Sequence, residues 1–264
     1  MAHGGSDEWN AAIATAIAPL RDKVPVALAL GMADPVTLQA GLDSLAARHV
    51  GRVALVRLFV SGASFRHQTD YLLGLRPDPP RDVARHAGGE SHLAPLRHRL
   101  SIVTHADGIA DFAAVARVLS ERAGELSSDP SAEVVLVLAH GVGDDDENAA
   151  LTQALERAVA PLRAEGYGRV HVETLREDWS GKREAAEARV RAFVEAEGAH
   201  RRVLVLPFRL FGFGPYAEVV AGLRYEEGGG LLPHPLMNAW IESTALRLFC
   251  DEGWPNPLGD CRAR

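Results

Sequence analysis

The sequence lacks the features that mark several classes of protein. No apolar run approaches the roughly 18 residues that a membrane-spanning helix needs, and no Cys-x-x-Cys pair indicates a zinc or redox site. No G-x-x-x-x-G-K-[ST] motif is present, which is unfavourable for nucleotide hydrolysis. A net charge of −7 and a pI near 5.9 are unfavourable for binding nucleic acid. We therefore predict that no membrane, nucleotide or nucleic acid is a partner.

Cysteine is scarce as well. Cys250 and Cys261 are the only two in 264 residues. They are close enough in sequence to pair, but the favoured interpretation is two free thiols in a reducing cytoplasm, and we predict that the protein is cytoplasmic. The composition, 47% hydrophobic and 24% charged, is typical of a globular protein able to bury a core.

One short apolar run ends abruptly in small and polar residues. It covers residues 134–138, Val-Val-Leu-Val-Leu, and is followed by Ala139-His140-Gly141. A short run bounded by glycine is typical of a strand buried on both faces of a parallel sheet. Ligands bind at the carboxyl edge of such sheets, so His140 is a candidate general base, metal ligand or turn-capping residue.

The residues around this histidine occur twice in the same order. Ala2-His3-Gly4 matches Ala139-His140-Gly141, and the next matching pairs are Asn10-Ala11-Ala12 with Asn148-Ala149-Ala150 and Ala18-Pro19-Leu20-Arg21 with Ala160-Pro161-Leu162-Arg163. The spacing between the second and third motifs is eight residues in one copy and twelve in the other. The difference is about one helical turn, so the two copies predict an internal duplication.

The duplication extends along the whole chain. Predicted strands at 24–30, 52–59 and 101–104 correspond to 170–175, 202–208 and 231–233, and predicted helices at 37–48 and 111–126 correspond to 183–197 and 236–249. This alternation predicts an α/β fold of two tandem, flavodoxin-like modules, each a parallel sheet with helices on both faces. The polar segment 127–131 divides them into modules 1–128 and 129–264.

The first module has no counterpart to the strand at 134–138. The first strand of a doubly wound sheet is normally central, and its absence leaves main-chain groups without partners. We expect the sequence to be truncated at its N-terminus, or its start site to be misassigned. An upstream reading frame without a short apolar strand contradicts this expectation. A cloning remnant at residues 1–6 is less favoured, because the matching motifs follow at once.

The motifs resemble those of the class II tetrapyrrole chelatases, the CbiX-like sirohydrochlorin cobalto-/ferrochelatase family. In that family one strand ends in His-Gly-Ser-Arg-Asp, which residues 138–144 and 2–7 resemble. A later strand of the type Val-Val-Pro-Leu-Phe-Leu is similar to residues 56–61 and 206–211. The resemblance covers nearly the whole chain as two tandem copies, like the long two-module members.

The resemblance implies a metal chelatase, a lyase that inserts cobalt, iron or nickel into a sirohydrochlorin-like tetrapyrrole without ATP. Its implied base and metal-ligand residues are His3, His67 and His140. His234, which follows a predicted strand at the same sheet edge, is a further candidate metal ligand. The chain departs from the family pattern. No histidine occupies 63–65, where His67 is the nearest substitute, and none occupies 214–216. The implied acidic residue is absent at Gly31-Met32 and has only an approximate counterpart at Glu177-Asp178.

Other residues have two interpretations each. Small-residue turns with Ser61, Gly62 and Ser64, and with Gly212 and Gly214, either cradle substrate carboxylates with main-chain N–H groups or only let the chain turn. The acidic run 144–147 either attracts cations or caps a helix. Three arginines, Arg57, Arg66 and Arg209, are near enough in sequence to assist with a polycarboxylated ring. His105, and His86, His92 and His98 in the long loop 76–97, are more typical of loop residues than of ligands.

We therefore predict a chelatase that works as a monomer or homodimer on a tetrapyrrole and a metal ion. The alternative is a non-catalytic tetrapyrrole or metal carrier derived from the same fold, which the missing partner histidines favour. Neutral imidazole suits both steps of metal insertion, because its pKa lies near working pH and it binds cobalt, iron and nickel well.

Overall fold

The computed structural model describes residues 1–80 and 93–261. His86 and His92 lie outside these residues. In chain order the elements are α1 (Asp7–Ala16), α2 (Ala18–Arg21), α3 (Pro35–Ala47), β1 (Arg52–Leu55), α4 (Arg66–Leu72), β2 (Ser101–Thr104), α5 (Val115–Leu126), β3 (Glu133–Ala139), α6 (Asp145–Ala158), α7 (Ala160–Ala164), β4 (Arg169–Thr174), α8 (Ser180–Gly198), β5 (Arg202–Phe208), α9 (Tyr216–Val219), β6 (Glu226–Glu227) and α10 (Pro235–Asp251). Single 3-10 turns cover Ile109–Asp111 and Pro130–Ala132.

The chain packs as two compact units. Unit 1 comprises residues 1–108 and 238–264, and unit 2 comprises residues 109–237. The predicted modules 1–128 and 129–264 were drawn from the repeated sequence motifs, whereas the two units are defined by which residues pack together. The difference lies in the closing helices: α5 packs against β5, α6 and α7 of unit 2, and α10 from Asn238 onward belongs to unit 1. Periodicity predicts such helices but not the sheet that each one covers.

Unit 2 is built on the parallel sheet that the sequence predicts. The strand order is β4-β3-β5-β6, with β3 between β4 and β5. All seven residues of β3 are buried, because a strand paired on both edges and covered on both faces has no exposed side. Ala186, Val190 and Val194, spaced by four residues along α8, pack onto one face of this sheet.

The last strand of unit 2 differs from the prediction. The sequence indicated a strand at 231–233, but β6 pairs with β5 at Glu226 and Glu227. The main chain still follows β5 further on, since the Leu231 and Leu232 N–H groups donate to the Arg209 and Leu210 carbonyls over 2.8 and 2.7 Å. Gly230 separates the two stretches: a Cβ there would lie 2.9 Å from the Phe211 main chain.

The sheet of unit 1 is shorter than that of unit 2. β1 and β2 pair in parallel. Ala2 forms isolated parallel bridges with Leu30 and Leu58. Residues 25–28 form no strand pairs within the described ranges, although the sequence predicts a strand at 24–30.

The structure joins Cys250 to Cys261 in a disulfide, so the prediction of two free thiols was wrong. The Cα atoms are 5.6 Å apart. The chain turns back after α10 through Gly253, whose φ is +63°, and the Asn256 amide donates to the Leu246 carbonyl over 3.1 Å. Sequence spacing allowed this pairing but did not require it. The cytoplasmic location stays a prediction. In the described part of the chain, no helix is long and apolar enough to cross a membrane.

A buried arginine and a buried histidine hold the carboxyl edge of the unit 1 sheet. The Arg57 N–H donates to His105 Nε2 over 2.8 Å. The Arg57 guanidinium donates to the carbonyls of Gly62, Ser64 and His105. Burial, and then the positive Arg57, lower the pKa of His105 to about 4. His105 therefore serves as a neutral hydrogen-bond acceptor within the fold.

This histidine predicts a pH dependence of stability. Its pKa falls from 6.5 to about 4 on folding, so between these values the unfolded chain binds more protons and the free energy of unfolding rises with pH. His105→Gln keeps an acceptor for the Arg57 N–H but does not titrate. Between pH 7.5 and 4.5, urea unfolding should show the wild type losing about 2–3 kcal/mol more than this variant. Equal losses in the two proteins contradict the assignment.

Candidate functional site

His140 lies where β3 ends, in a defined orientation. Its carbonyl accepts the Arg176 N–H over 2.6 Å, and its Nδ1 lies 2.9 Å from the Gly141 carbonyl oxygen. A carbonyl only accepts, so in the neutral ring Nδ1 carries the proton and Nε2 has the lone pair. The side chain is 42% exposed. The ring therefore offers a basic nitrogen at the carboxyl edge of the sheet.

A carboxylate lies beside this nitrogen. Asp178 Oδ2 is 3.4 Å from His140 Nε2. With Nδ1 protonated, both atoms are acceptors, and two facing acceptors favour a cation or a proton between them. The approximate counterpart of the family's acidic residue, predicted at Glu177-Asp178, thus lies next to the histidine through Asp178.

His3 in unit 1 has the same local geometry. Its Nδ1 lies 2.6 Å from the Gly4 carbonyl oxygen, which again leaves the lone pair on Nε2. The side chain is exposed, and the His3 carbonyl accepts the Trp9 indole N–H over 2.8 Å. The duplicated His-Gly motif therefore produces the same ring orientation twice.

An asparagine braces each His-Gly turn, a role that the sequence interpretation did not assign. The Gly5 N–H donates to Asn10 Oδ1, and the Val142 N–H to Asn148 Oδ1, both over 3.1 Å. The Asn148 amide also donates to Thr174 Oγ1 at the end of β4 over 2.9 Å. The sequence did contain a signal for this role, because an Asn-Ala-Ala motif follows both His3 and His140.

Arg176 closes the turn after His140. Its guanidinium donates to the Val142 carbonyl over 2.7 Å, to the Gly143 carbonyl and to Asp145 over 2.6 Å. Its main-chain nitrogen would lie 2.9 Å from a Cβ at residue 141, and Gly141 has a φ of +79°. Glycine is needed there both for conformation and for space.

The acidic run at 144–147 caps α6. Asp144 Oδ1 accepts the N–H groups of Asp146 and Glu147, each over 3.0 Å. Asp145 pairs with Arg176 and Lys182. These contacts support the capping interpretation, and the three acidic residues of the first turn also complement the helix dipole.

The other predicted histidines lie apart from this arrangement. His67 is exposed in α4, and the described residues include no hydrogen bond or ring contact between it and His3. His234 is buried: its Nδ1 accepts the Leu236 N–H over 3.2 Å at the start of α10, and its Nε2 lies 3.0 Å from Glu121 Oε2. A metal ion on His234 has to displace one of these bonds. His98 is near the Leu73 carbonyl, at 3.3 Å.

The glycine turns are close-packed loops. A Cβ at Gly62 would collide with the main chain at 106–108. In the same turn the Ser64 N–H donates to the Ser61 carbonyl, and the Ala63 N–H to Ser61 Oγ. Gly212 and Gly214 have φ values of +64° and +63°. These contacts support the interpretation that the turns position the chain.

The three predicted arginines differ in their availability. Arg57 is 1% exposed and bound to main-chain carbonyls. Arg66 is exposed, with its Nε 3.7 Å from Asp70. The Arg209 guanidinium lies 5.7 Å from the centre of the Tyr216 ring. Burial, followed by nearby Glu177, raises the pKa of Tyr216. Arg57 is therefore held within the fold, Arg66 is exposed, and Arg209 is partly buried, with its guanidinium donating to the Phe213 carbonyl.

A complete metal centre of protein ligands is absent from the described ranges. No group of three or more histidine, cysteine, aspartate or glutamate side chains converges there. The arrangement at the carboxyl edge of β3 is the pair of His140 and Asp178. It leaves most positions of a metal ion open to other ligands.

Solved structures of chelatases are similar to this fold. The sirohydrochlorin chelatase SirB from Bacillus subtilis subspecies spizizenii, solved in complex with cobalt, matches 96% of this chain and 94% of its own with a TM-score of 0.60 and 13% identity. SirB from Bacillus subtilis with Fe3+ matches 97% and 96%, with a TM-score of 0.64 and 14% identity. At these identities the likeness shows the fold alone.

A third structure is DR2241 from Deinococcus radiodurans, described as a multi-domain protein with structural similarity to chelatases and two additional novel domains. It matches 92% of this chain but 52% of its own, with a TM-score of 0.51 and 18% identity. No protein-family model and no curated protein matches the sequence. The motifs predicted a resemblance to chelatases, and the structural matches confirm it at the level of the fold.

The bracing asparagine of unit 2 can be tested by substitution. Asn148→Ala leaves the Val142 N–H without its acceptor and should lower the free energy of unfolding by about 1–2 kcal/mol. Asn148→Asp retains the acceptor and should lose less. Asn10→Ala, at an exposed turn, should also lose less. Urea unfolding measures all three. An Asn148→Ala protein as stable as the wild type shows that the asparagine does not brace the turn.

Proposed function

We propose that the protein inserts a divalent metal ion into a sirohydrochlorin-like tetrapyrrole, without nucleotide hydrolysis. Cobalt, iron and nickel are the candidate ions, and both the ion and the macrocycle are substrates. The observation that carries the proposal is the orientation of His140: its Nδ1 is held by the Gly141 carbonyl, and its Nε2 is left as a half-exposed base at the carboxyl edge of a chelatase-like sheet.

His140 has the chemistry that the reaction requires. Two pyrrole nitrogens each lose a proton as they bind a divalent ion. The Nε2 lone pair accepts such a proton and passes it to solvent, the general-base role that histidine most often has in enzymes. The Asp178 carboxylate at 3.4 Å stabilises the imidazolium that forms.

The same two atoms suit the arriving metal ion. Imidazole nitrogen and carboxylate oxygen are both ligands for first-row divalent metals. A site with only two such protein ligands holds the ion weakly, and weak binding is what transfer to a macrocycle needs. His140 thus alternates between ligand and base as the ion passes to the tetrapyrrole.

The remaining predicted residues have subordinate roles in this proposal. His3 offers the same lone pair in unit 1, and His67 follows in α4 as its candidate partner. His234 contributes to the metal path only after release from Glu121. Arg209, and the turns with Ser61, Gly62, Ser64, Gly212 and Gly214, shape the edge against which substrate carboxylates lie.

A second candidate is a carrier that binds a tetrapyrrole or a metal ion without catalysing insertion. One observation favours it: in the described part of the chain, His140 has a carboxylate neighbour but no second imidazole beside it. A carrier needs binding alone, whereas an enzyme must raise the insertion rate above the spontaneous one.

Metal insertion assays separate the two candidates. With cobalt(II) and sirohydrochlorin, followed by absorbance, the full chain should exceed the spontaneous rate. His140→Ala should lower kcat/KM by about 10²–10⁴-fold, the usual contribution of a general base, and Asp178→Asn should lower it less. His200→Ala is the matched control, because His200 is exposed next to the amino end of β5 and should retain full activity.

Each outcome has a defined meaning. Loss of activity in His140→Ala but not in His200→Ala supports the enzyme. Saturable binding of sirohydrochlorin without acceleration supports the carrier. An active protein that His140→Ala leaves unchanged contradicts the role given to His140.

A further inference from the structure

One peptide group connects the asparagine that braces the His140 turn to the ring of the histidine. The Gly141 carbonyl oxygen lies 2.9 Å from His140 Nδ1. The Val142 N–H of the same peptide group donates to Asn148 Oδ1 over 3.1 Å. A trans peptide is planar, so its C=O and N–H point in opposite directions. By holding the N–H, Asn148 therefore aims the carbonyl at Nδ1.

Unit 1 contains the same arrangement. The Gly4 carbonyl oxygen lies 2.6 Å from His3 Nδ1. The Gly5 N–H of that peptide group donates to Asn10 Oδ1 over 3.1 Å. The number of residues between histidine and asparagine differs by one between the two units, yet the hydrogen bonds are the same. The arrangement therefore recurs without an identical sequence spacing.

Asn148 is itself held at the end of β4. Its side-chain amide donates to Thr174 Oγ1 over 2.9 Å, and Thr174 is buried. A Cβ at residue 141 would lie 3.0 Å from Asn148 Oδ1, so the glycine gives the asparagine room to approach. The direction of the Gly141 carbonyl thus depends on a side chain that is anchored to the neighbouring strand.

The cations around this turn hold different peptide groups. Arg176 donates to the carbonyls of Val142 and Gly143, and Lys182 donates to that of Gly143 over 2.8 Å. These two carbonyls belong to the peptide groups that follow the one facing Nδ1. The contribution of Asn148 is therefore separate from that of the two cations.

We propose that Asn148 is a positioning residue that selects the tautomer of His140. A neutral imidazole carries its proton on either ring nitrogen, and the hydrogen bond made by one nitrogen decides which. With the Gly141 carbonyl fixed by Asn148, the proton stays on Nδ1, and Nε2 keeps the lone pair that faces Asp178. Without the asparagine the peptide group can rotate, and the Nε2–H tautomer gains population. The value of this selection for catalysis rests on the proposed function, whereas the tautomer itself does not.

The test is a long-range proton–nitrogen NMR spectrum of the full chain labelled with nitrogen-15 histidine, which separates protonated from unprotonated ring nitrogens. It is recorded without metal or tetrapyrrole at about pH 8.5, roughly two units above the ordinary pKa of imidazole. His140→Gln and His3→Gln identify the two sets of signals. Asn148→Ala should shift the His140 tautomer ratio about 2–10-fold toward Nε2–H, the worth of one hydrogen bond, and leave the His3 ratio unchanged.

Two further variants serve as matched controls. Asn148→Asp keeps an acceptor for the Val142 N–H and should restore the His140 ratio. Asn10→Ala should shift the His3 ratio and leave that of His140 unchanged. Asn10 lies at an exposed turn, so Asn10→Ala decides the matter where Asn148→Ala does not fold. An unchanged His140 ratio in folded Asn148→Ala, or an unchanged His3 ratio in Asn10→Ala, overturns the proposal.

Insertion assays keep this result apart from the function of the protein. With cobalt(II) and sirohydrochlorin, Asn148→Ala should lower kcat in proportion to the lost Nδ1–H form, while the KM for sirohydrochlorin stays the same. A tautomer shift in a chain that inserts no metal supports the positioning role and contradicts the proposed function. Metal insertion by a chain whose tautomer ratio does not respond to Asn148→Ala contradicts the positioning role alone.

Discussion

The main-chain pairing of β3 with β4 and β5 is the constraint on which the candidate site depends. Parallel hydrogen bonds run along both edges of β3 and end where the His140 carbonyl accepts the Arg176 N–H. Because the register is fixed on both sides, the His140 backbone is held rigidly beyond the last buried residue. The Gly141 carbonyl then sets the ring, and the chain after β4 brings Asp178 to Nε2. The positions of His140 and Asp178 at this edge therefore depend on the strand pairing.

The duplicated His-Gly turn follows a different strand pairing in each unit. In unit 2 a seven-residue strand supports the histidine. In unit 1 the support is Met1 and Ala2, bridged to Leu30 and Leu58. Both turns keep the asparagine brace and the same ring orientation. The two units are therefore alike in turn geometry and differ in the strand pairing that supports the turn.

Much of the fold was predictable because buried strands and their glycine turns leave strong patterns. The run 134–138 is continuous in apolar residues since β3 is buried on both faces, and the repeat of His-Gly and Asn-Ala-Ala gave the duplicated plan. Other features depend on tertiary contacts that no local pattern records. Examples are the Cys250–Cys261 pairing, the unit in which α5 packs, and the early position of β6. His234 illustrates the same limit: its position after a predicted strand indicated a ligand, whereas its ring binds Glu121 and the Leu236 N–H.

The central claim is that His140 presents Nε2 to a metal ion on its way to a tetrapyrrole. A crystal structure of the full chain soaked with cobalt(II) tests it most directly, with anomalous scattering to locate the ion. The predicted result is an ion about 2.1 Å from His140 Nε2, with an Asp178 oxygen as a second protein ligand and the Nδ1 bond to the Gly141 carbonyl retained. An ion bound to other residues while His140 is vacant, or coordination through Nδ1, contradicts the claim.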